Sequence, residues 1–245
     1  MSETWIILGA TSAMARAFAR KCAAQGAELL LLGRDMTELK RIAIDCTLRG
    51  AASAEAVAFD ARKPAKFEAI VAQAVQLSGT LNAAVFVGSM PAQSEIDIDP
   101  SRIDDAIQDN FTGPARFLHV LAPHLEEREA GTIIGVGSVA GDRGRVGNYV
   151  YGAAKAGFHA YLSGLRNRLG RKGAHVITVK PGFVDTAMTW GVDGMFLVAS
   201  PDDVANSLMK AVQKKRNVIY TPFFWRYIML IIRNIPEFIF KKMSI

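Results

Sequence analysis

The stretch WIILGATSAMARAFARKCAAQGAELLLLGRDM, residues 5 to 36, decides the fold. An apolar run ends in a turn of small residues, a helical pattern follows, and a second apolar run closes the unit. Neither run alternates with polar residues, which describes strands buried on both faces, as in a parallel sheet. Strand, tight turn and helix is also the geometry that brings backbone amides to a pyrophosphate. Gly9 allows the sharp turn, and Thr11 and Ser12 add hydroxyl donors. Ala13 and Ala15 stand where a dinucleotide turn usually has glycines, so a methyl group at Ala13 pushes a pyrophosphate outward. By itself the turn reads better as an ordinary strand–helix connection.

Working outward, the pattern repeats. Apolar runs recur at 56–59, 83–88, 132–137, 175–179 and, more weakly, 217–221, with helical patterns at 12–25, 36–49, 66–78, 101–125, 149–170 and 202–215. Ser200-Pro201-Asp202-Asp203 is a strong helix start, with a capping serine, proline at the first position and acids in the first turn. The order predicts α/β architecture: a single doubly wound Rossmann domain over residues 1–222, its parallel sheet of about seven strands covered by helices on both faces. A tail, residues 223–245, follows.

Bulk properties narrow the function. The 245 residues carry a net charge of +6, which favours anionic partners such as nucleotide phosphates or acidic lipid, although surface solubility explains charge alone. Much of the excess falls late, at Lys214, Lys215, Arg216, Arg226, Arg233, Lys241 and Lys242, making the tail the expected contact with an anionic surface. The basic residues form no recognisable nucleic-acid module, so no nucleic-acid partner is expected. Cys22 and Cys46 lack metal-ligand spacing and suit a reducing cytoplasm, and His119, His124, His159 and His175 do not group as metal ligands. MSET runs directly into a strand, which leaves no room for a signal peptide, and no uninterrupted apolar segment reaches the length of a membrane span.

The second strand ends in LLLLGRDM. An NAD site offers an acid there for the ribose 2′-hydroxyl, whereas here Gly33 leaves room and Arg34 brings a cation, favouring the 2′-phosphate of NADP. Asp35 is an adjacent rival, and a solvated surface arginine is the plainer alternative. Asp60, closing the third strand, either accepts a hydrogen bond from an adenine amino group or caps the next turn.

Residues 132 to 159, TIIGVGSVAGDRGRVGNYVYGAAKAGFH, carry the chemistry. A strand delivers Ser138, a glycine-rich loop follows, and a helix presents Tyr151 and Lys155 four residues apart on one face. Reduction of a ketone needs a hydride on carbon and a proton on oxygen. Tyr151 can give the proton, the Lys155 cation is expected to lower the phenol toward working pH, and Ser138 can hydrogen-bond the carbonyl oxygen.

These residues are where a family becomes legible. The chain resembles the classical short-chain dehydrogenase/reductase family over about residues 4 to 222, through the GATSAMA turn, Asn110 in NFTGPARFL, Ser138, YGAAK at 151–155 and KPGFVDTAM at 180–188. The resemblance implies an NADP(H)-dependent oxidoreductase, acting as a homodimer or homotetramer. It implies catalysis by Asn110, Ser138, Tyr151 and Lys155, with Asn110 holding a relay water; helix bending or packing is the local alternative for Asn110. It implies cofactor contacts from Gly9, Thr11, Ser12, Ala13, Met14, Arg34, Asp60, Gly88, Tyr151, Lys155, Pro181, Gly182, Val184 and Thr186, with Lys155 on the nicotinamide ribose. The sequence departs from the family in the alanines of the first turn and in VFVGSM at 85–90, where Asn-Asn-Ala-Gly is common. A catalytically silent NADP-binding regulator or interaction protein is the alternative from another class.

Two segments bear on the substrate. The expected lid, MTWGVDGMFLVASPDD at 188–203, carries Met188, Trp190, Met195, Phe196 and Leu197, which suit an apolar substrate or pack on the domain. In the tail, Phe224, Ile228, Ile231, Ile232 and Ile235 form one helical stripe opposite Arg226 and Arg233, Pro236 interrupts, and FIFKK restarts the pattern. The stripe reads as a cover for its own domain, a subunit contact, or a helix lying at a membrane interface. The tail and first turn also resemble the branch containing reductases of polyprenyl-phosphate-linked 2-keto-pentoses. That implies a lipid-linked keto-sugar, with soluble ketones or 3-oxoacyl groups as alternatives, and a cytoplasmic enzyme in peripheral contact with the inner face of the membrane.

Overall fold

The computed structural model describes residues 2–187 and 197–243. The apolar runs form seven strands: β1 (Glu3–Leu8), β2 (Glu28–Gly33), β3 (Ser53–Ala58), β4 (Thr80–Val85), β5 (Thr132–Val136), β6 (His175–Pro181) and β7 (Val218–Thr221). They pair in parallel in the order β3-β2-β1-β4-β5-β6-β7. Trp5, Ile7, Leu29 and Leu31 enter one core layer, while Ile6, Leu8, Leu30 and Leu32 enter the other. This two-residue alternation within uninterrupted apolar runs is what burial on both faces requires.

The first layer is closed by α1 (Ala13–Ala23), α2 (Met36–Leu48) and α8 (Pro201–Gln213). The second is closed by α3 (Phe67–Val75), α6 (Gly113–Glu127) and α7 (Tyr149–Gly170). The α8 start forms as its residues predict: Ser200 and Asp203 make a reciprocal capping box behind Pro201. Phe158, Leu162, Leu165 and Leu169 put the buried face of α7 on the sheet at spacings of four, three and four.

Between β4 and α6 the structure departs from the single helix expected over 101–125. Two short helices, α4 (Gln93–Ile98) and α5 (Arg102–Ile107), lead into a π-helical turn, Gln108–Thr112, before α6 begins. The wider turn holds Asn110 in the interior, fully buried, where its Nδ2 donates to the carbonyls of Ser89 (2.7 Å) and Ala106 (2.9 Å). The Arg62 guanidinium fixes the same turn from outside by a bidentate pair with Asp109, both bonds at 2.8 Å.

The strand order reverses between β1 and β4, so a crevice opens beyond their carboxyl ends, where ligands of doubly wound sheets bind. Gly9 at this point has φ +76°, and a Cβ there would lie 2.9 Å from the Val87 nitrogen, so only glycine suits the turn.

The tail folds back onto the chain. It forms α9 (Trp225–Asn234) and, after Pro236, the short α10 (Glu237–Phe240). Its buried side differs from the stripe read in the sequence: Trp225 and Met229 are buried, with Phe224, Ile228 and Ile232 partly so, whereas Ile231 is 68% exposed. The register is set by Gly182, since a Cβ there would fall 1.9 Å from Trp225 Nε1; the indole occupies the space glycine leaves. Arg143 caps the carboxyl end of α9, donating to the carbonyls of Ile232 (2.6 Å) and Ile235 (2.7 Å). Its guanidinium also pairs with Glu237 and lies 3.6 Å from the Phe240 ring centroid. The lid residues Met188, Trp190, Met195 and Phe196 lie outside the described residues, and Leu197 is exposed.

Trp225→Ala should therefore lower stability by about 3–5 kcal/mol, read from urea unfolding. A loss below about 1 kcal/mol, the range of a surface substitution, would show that the tail is not packed on Gly182.

Candidate active site

Ser138 leaves the carboxyl end of β5 in extended conformation and caps a 3-10 turn, Val139–Asp142, its Oγ accepting from the Ala140 amide at 3.1 Å. The first turns of α7 pack against this loop so closely that a Cβ at Gly152 would lie 2.8 Å from the Ala140 carbonyl oxygen. The small residues between Tyr151 and Lys155 are what permit that approach. From the other side α4 fixes the same helix end: Gln93 accepts from the Val150 amide, and the Tyr149 hydroxyl donates to Asp97.

The packing brings the expected catalytic groups together. Ser138 and Tyr151 line one cavity, close enough that the serine side chain acts to lower the phenol pKa. Lys155, almost fully buried, donates from Nζ to the Val136 carbonyl at 3.1 Å. Burial pushes its pKa down from 10.5 to about 8, so the ammonium remains the main form at neutral pH.

The phenol corrects an expectation. Burial raises the Tyr151 pKa, the Ser138 side chain offsets only part of this, and Lys155 Nζ stands 5.8 Å from the ring centroid. The lysine therefore does not lower the phenol in this arrangement. Tyr151 stays protonated, the form a proton donor needs.

Asn110 Oδ1 is buried with no hydrogen-bond partner, and it meets Lys155 Nζ across Gly88. A Cβ on residue 88 would lie 2.6 Å from that oxygen and 3.2 Å from Nζ. Both readings of Asn110 thus meet: the residue sits in a distorted turn, and an unpaired acceptor beside a buried ammonium suits a water.

Two cavities flank this centre. One, of about 180 Å³, is lined by Gly9, Thr11, Ser12, Arg34, Asp60 and Gly88, among others. The other, of about 140 Å³, is lined by Ser138, Tyr151, Met14, Pro181, Gly182, Val184 and Thr186, with Met90 and Phe183 adding apolar surface. Ser12 caps α1 by accepting from the Ala15 amide, and Ala13 is the first residue of that helix. The rival carboxylate of Arg34 is occupied, since Asp35 caps α2 by accepting from the Glu38 amide. Asp60 caps the next turn through the Arg62 amide while still lining the first cavity. The residues present fit a dinucleotide: a glycine turn at a helix start, a cation beyond the second strand, and an orphaned acceptor beside the lysine.

Three residues were not singled out in the sequence. Asp109 lines the first cavity; burial alone would raise its carboxyl, but hydrogen bonding by Arg62 and Ser89 holds it below the usual range. Asp142 accepts from Lys180 Nζ (2.5 Å) and the Tyr220 hydroxyl (2.6 Å). His159 lies behind Ser138, its Nε2 accepting from the Ser138 amide at 3.3 Å and its Nδ1 3.7 Å from Asp142. The ring fills space left by Gly137 and Gly141, where a Cβ would come within 2.0 and 2.8 Å of it. The spacing Tyr151, Lys155, His159, four and four, was the available signal.

Comparison with known proteins agrees with this geometry. The family model "short chain dehydrogenase" matches residues 3–195. An uncharacterized oxidoreductase of Mycobacterium tuberculosis (strain H37Rv) is 30% identical over 97% of this chain and 96% of its own. The ketoacyl reductase HetN of Nostoc is 28% identical over 87% of this chain and 76% of its own. A short-chain dehydrogenase from Sphingobium yanoikuyae, solved in complex with NADPH, shares the fold with a TM-score of 0.81 at 23% identity, covering 96% of this chain and 97% of that one.

His159 yields a pH prediction. Burial, with Lys180 and Lys155 nearby, pushes its pKa from 6.5 down to about 3, so in the window between these values the unfolded chain binds the proton and the folded one does not. Its contribution to stability therefore falls by about 1.4 kcal/mol per pH unit as pH drops below about 6.5. His159→Gln keeps an acceptor without titrating, so the stability difference between wild type and variant should move in the variant's favour on acidification. Urea unfolding across pH checks this; a pH-independent difference would contradict it.

Proposed function

Because the chain belongs to the short-chain dehydrogenase family, we propose that it is an NADPH-dependent carbonyl reductase, with Ser138, Tyr151 and Lys155 performing the proton chemistry. The observation that carries this reading is the cluster itself: a half-buried serine beside a buried, protonated phenol, one helical turn from a buried lysine, at the carboxyl ends of the central strands. NADPH supplies the hydride when bound.

The chain does the rest. Ser138 hydrogen-bonds the carbonyl oxygen and aligns it with Tyr151, whose phenolic proton passes to that oxygen as negative charge develops. Lys155 holds the nicotinamide ribose, its ammonium the main form at neutral pH. A water between Lys155 Nζ and Asn110 Oδ1, at the opening beside Gly88, continues the path that reprotonates Tyr151. Gly9, Thr11, Ser12, Ala13 and Met14 receive the pyrophosphate side, Asp60 the adenine, and Pro181, Gly182, Val184 and Thr186 the nicotinamide. Arg34, free of Asp35, contacts the 2′-phosphate and sets the preference for NADP(H) over NAD(H).

The substrate reading follows from the second cavity. Its methionines, Phe183 and Val184 favour a carbonyl compound with an apolar body. A keto-sugar on a lipid carrier answers that description, as do 3-oxoacyl compounds of the kind implied by the name of HetN. The working unit we propose is a homo-oligomer whose catalytic region is residues 1–222, with residues 223–245 as a packed appendage, acting in the cytoplasm.

Turnover of NADPH with a carbonyl panel, keto-sugar lipids included, tests the proposal. Tyr151→Phe should lower kcat by about 10²–10⁴ while NADPH binding, followed by fluorescence, persists. Undiminished turnover would overturn the assignment. Arg34→Ala should reduce the ratio of kcat/KM with NADPH to that with NADH by about tenfold, the loss of one charged hydrogen bond; an unchanged ratio would remove Arg34 from cofactor choice.

A further inference from the structure

At the β7 edge of the sheet, α8, β7 and α9 border an open groove of about 960 Å³. Six of its lining side chains are cationic, Lys180, Lys210, Lys214, Arg216, Arg226 and Arg233, and none is acidic. Lys180 is paired with Asp142, and Arg233 lies near Tyr220, opposing the rise of its phenol pKa. The remaining four belong to residues at the exposed edge. The α9 wall is also apolar: Phe223, Tyr227 and Leu230, at i, i+4 and i+7, are 74%, 61% and 60% exposed. Arg226 and Arg233 are interleaved with them on the same helix face.

We propose that this groove and the outer face of α9 dock on an anionic phospholipid surface, the apolar side chains entering the acyl boundary and the cations meeting lipid phosphates. The proposal does not depend on the reductase reading. Three observations select this occupant.

The cations without acids require an anionic partner. The exposed phenyl, phenol and leucine side chains exceed what a soluble phosphate would cover, and their alternation with arginines matches a helix lying in a membrane interface. A second copy related by two-fold symmetry would bring the same cations against each other.

The inner side of α9 is pinned by Trp225 on Gly182, by Met229, and by Arg143 on its last carbonyls. The outer face is therefore presented as a fixed surface, with no folding required on contact. Among the described residues no helix is long and apolar enough to cross a membrane, so the contact is peripheral. Ile231, a member of the sequence stripe and 68% exposed, extends the apolar face beyond the groove.

Sedimentation of the full-length chain with vesicles tests this. Binding is expected to vesicles of phosphatidylcholine containing phosphatidylglycerol and not to phosphatidylcholine alone, and to weaken as salt rises. Arg226→Glu with Arg233→Glu, and separately Leu230→Ser with Ile231→Ser, should each weaken binding about tenfold or more, with unfolding midpoints in urea unchanged because these side chains are exposed. Absent binding to the anionic vesicles, equal binding to both vesicle types, or undiminished binding by the folded variants would overturn the proposal. So would displacement by inorganic pyrophosphate beyond that by chloride of the same ionic strength, which would assign the groove to a soluble phosphate. Loss of self-association in the variants without vesicle binding would assign the face to a second copy.

Discussion

The close approach of the first turns of α7 to the loop that leaves β5 is the constraint on which the site depends. Gly152 lets the helix reach the Ala140 carbonyl, and Gly137 and Gly141 make room for the His159 ring. With helix and loop in contact, Ser138 meets Tyr151, and Lys155 is driven into the interior. A methyl group at any of these glycines would separate surfaces that must touch. The glycine-rich loop is therefore set by packing, and the chemistry follows from the packing.

That arrangement has a cost. Moving the Lys155 pKa from 10.5 to about 8 represents about 3 kcal/mol of unfavourable ammonium burial, only partly relieved by the Val136 carbonyl. Asn110 Oδ1 is left without a partner at the same place. Two unfavourable groups facing one small opening is the pattern of a site organised for an incoming ligand, since a fold selected for stability alone would fill it. The loop that carries Ser138 also carries Arg143 and touches the tail, so the substrate side of the site and the packing of α9 share one support.

Much of this was legible in the sequence. Uninterrupted apolar runs announced a sheet buried on both faces, and the strand-end serine with Tyr151 and Lys155 one turn apart announced the chemistry. The edge strand β3 was read short, because its half-exposed opening, Ser53-Ala54-Glu55, lacks an apolar signal. The π-helical turn was hidden, because one extra residue per turn does not disturb a periodicity read over a long helix. The tail stripe takes in Phe224, Ile228 and Ile232 but not the buried Trp225 and Met229, because the register of α9 depends on Gly182, a contact distant in sequence. His159 carried a visible spacing, but a histidine beside a core face looks the same whether it supports Ser138 or merely fills space. The phenol pKa required knowledge of burial, which a four-residue spacing cannot supply.

The central claim is that this cluster protonates a carbonyl oxygen while the carbon receives hydride from the nicotinamide. The most direct measurement uses NADPH carrying deuterium at the transferable position of nicotinamide C4, followed by mass spectrometry of the alcohol formed from whichever carbonyl compound oxidises it. One deuterium is expected on the carbinol carbon. An alcohol without deuterium, or NADPH that binds and is oxidised by no carbonyl compound, would contradict it.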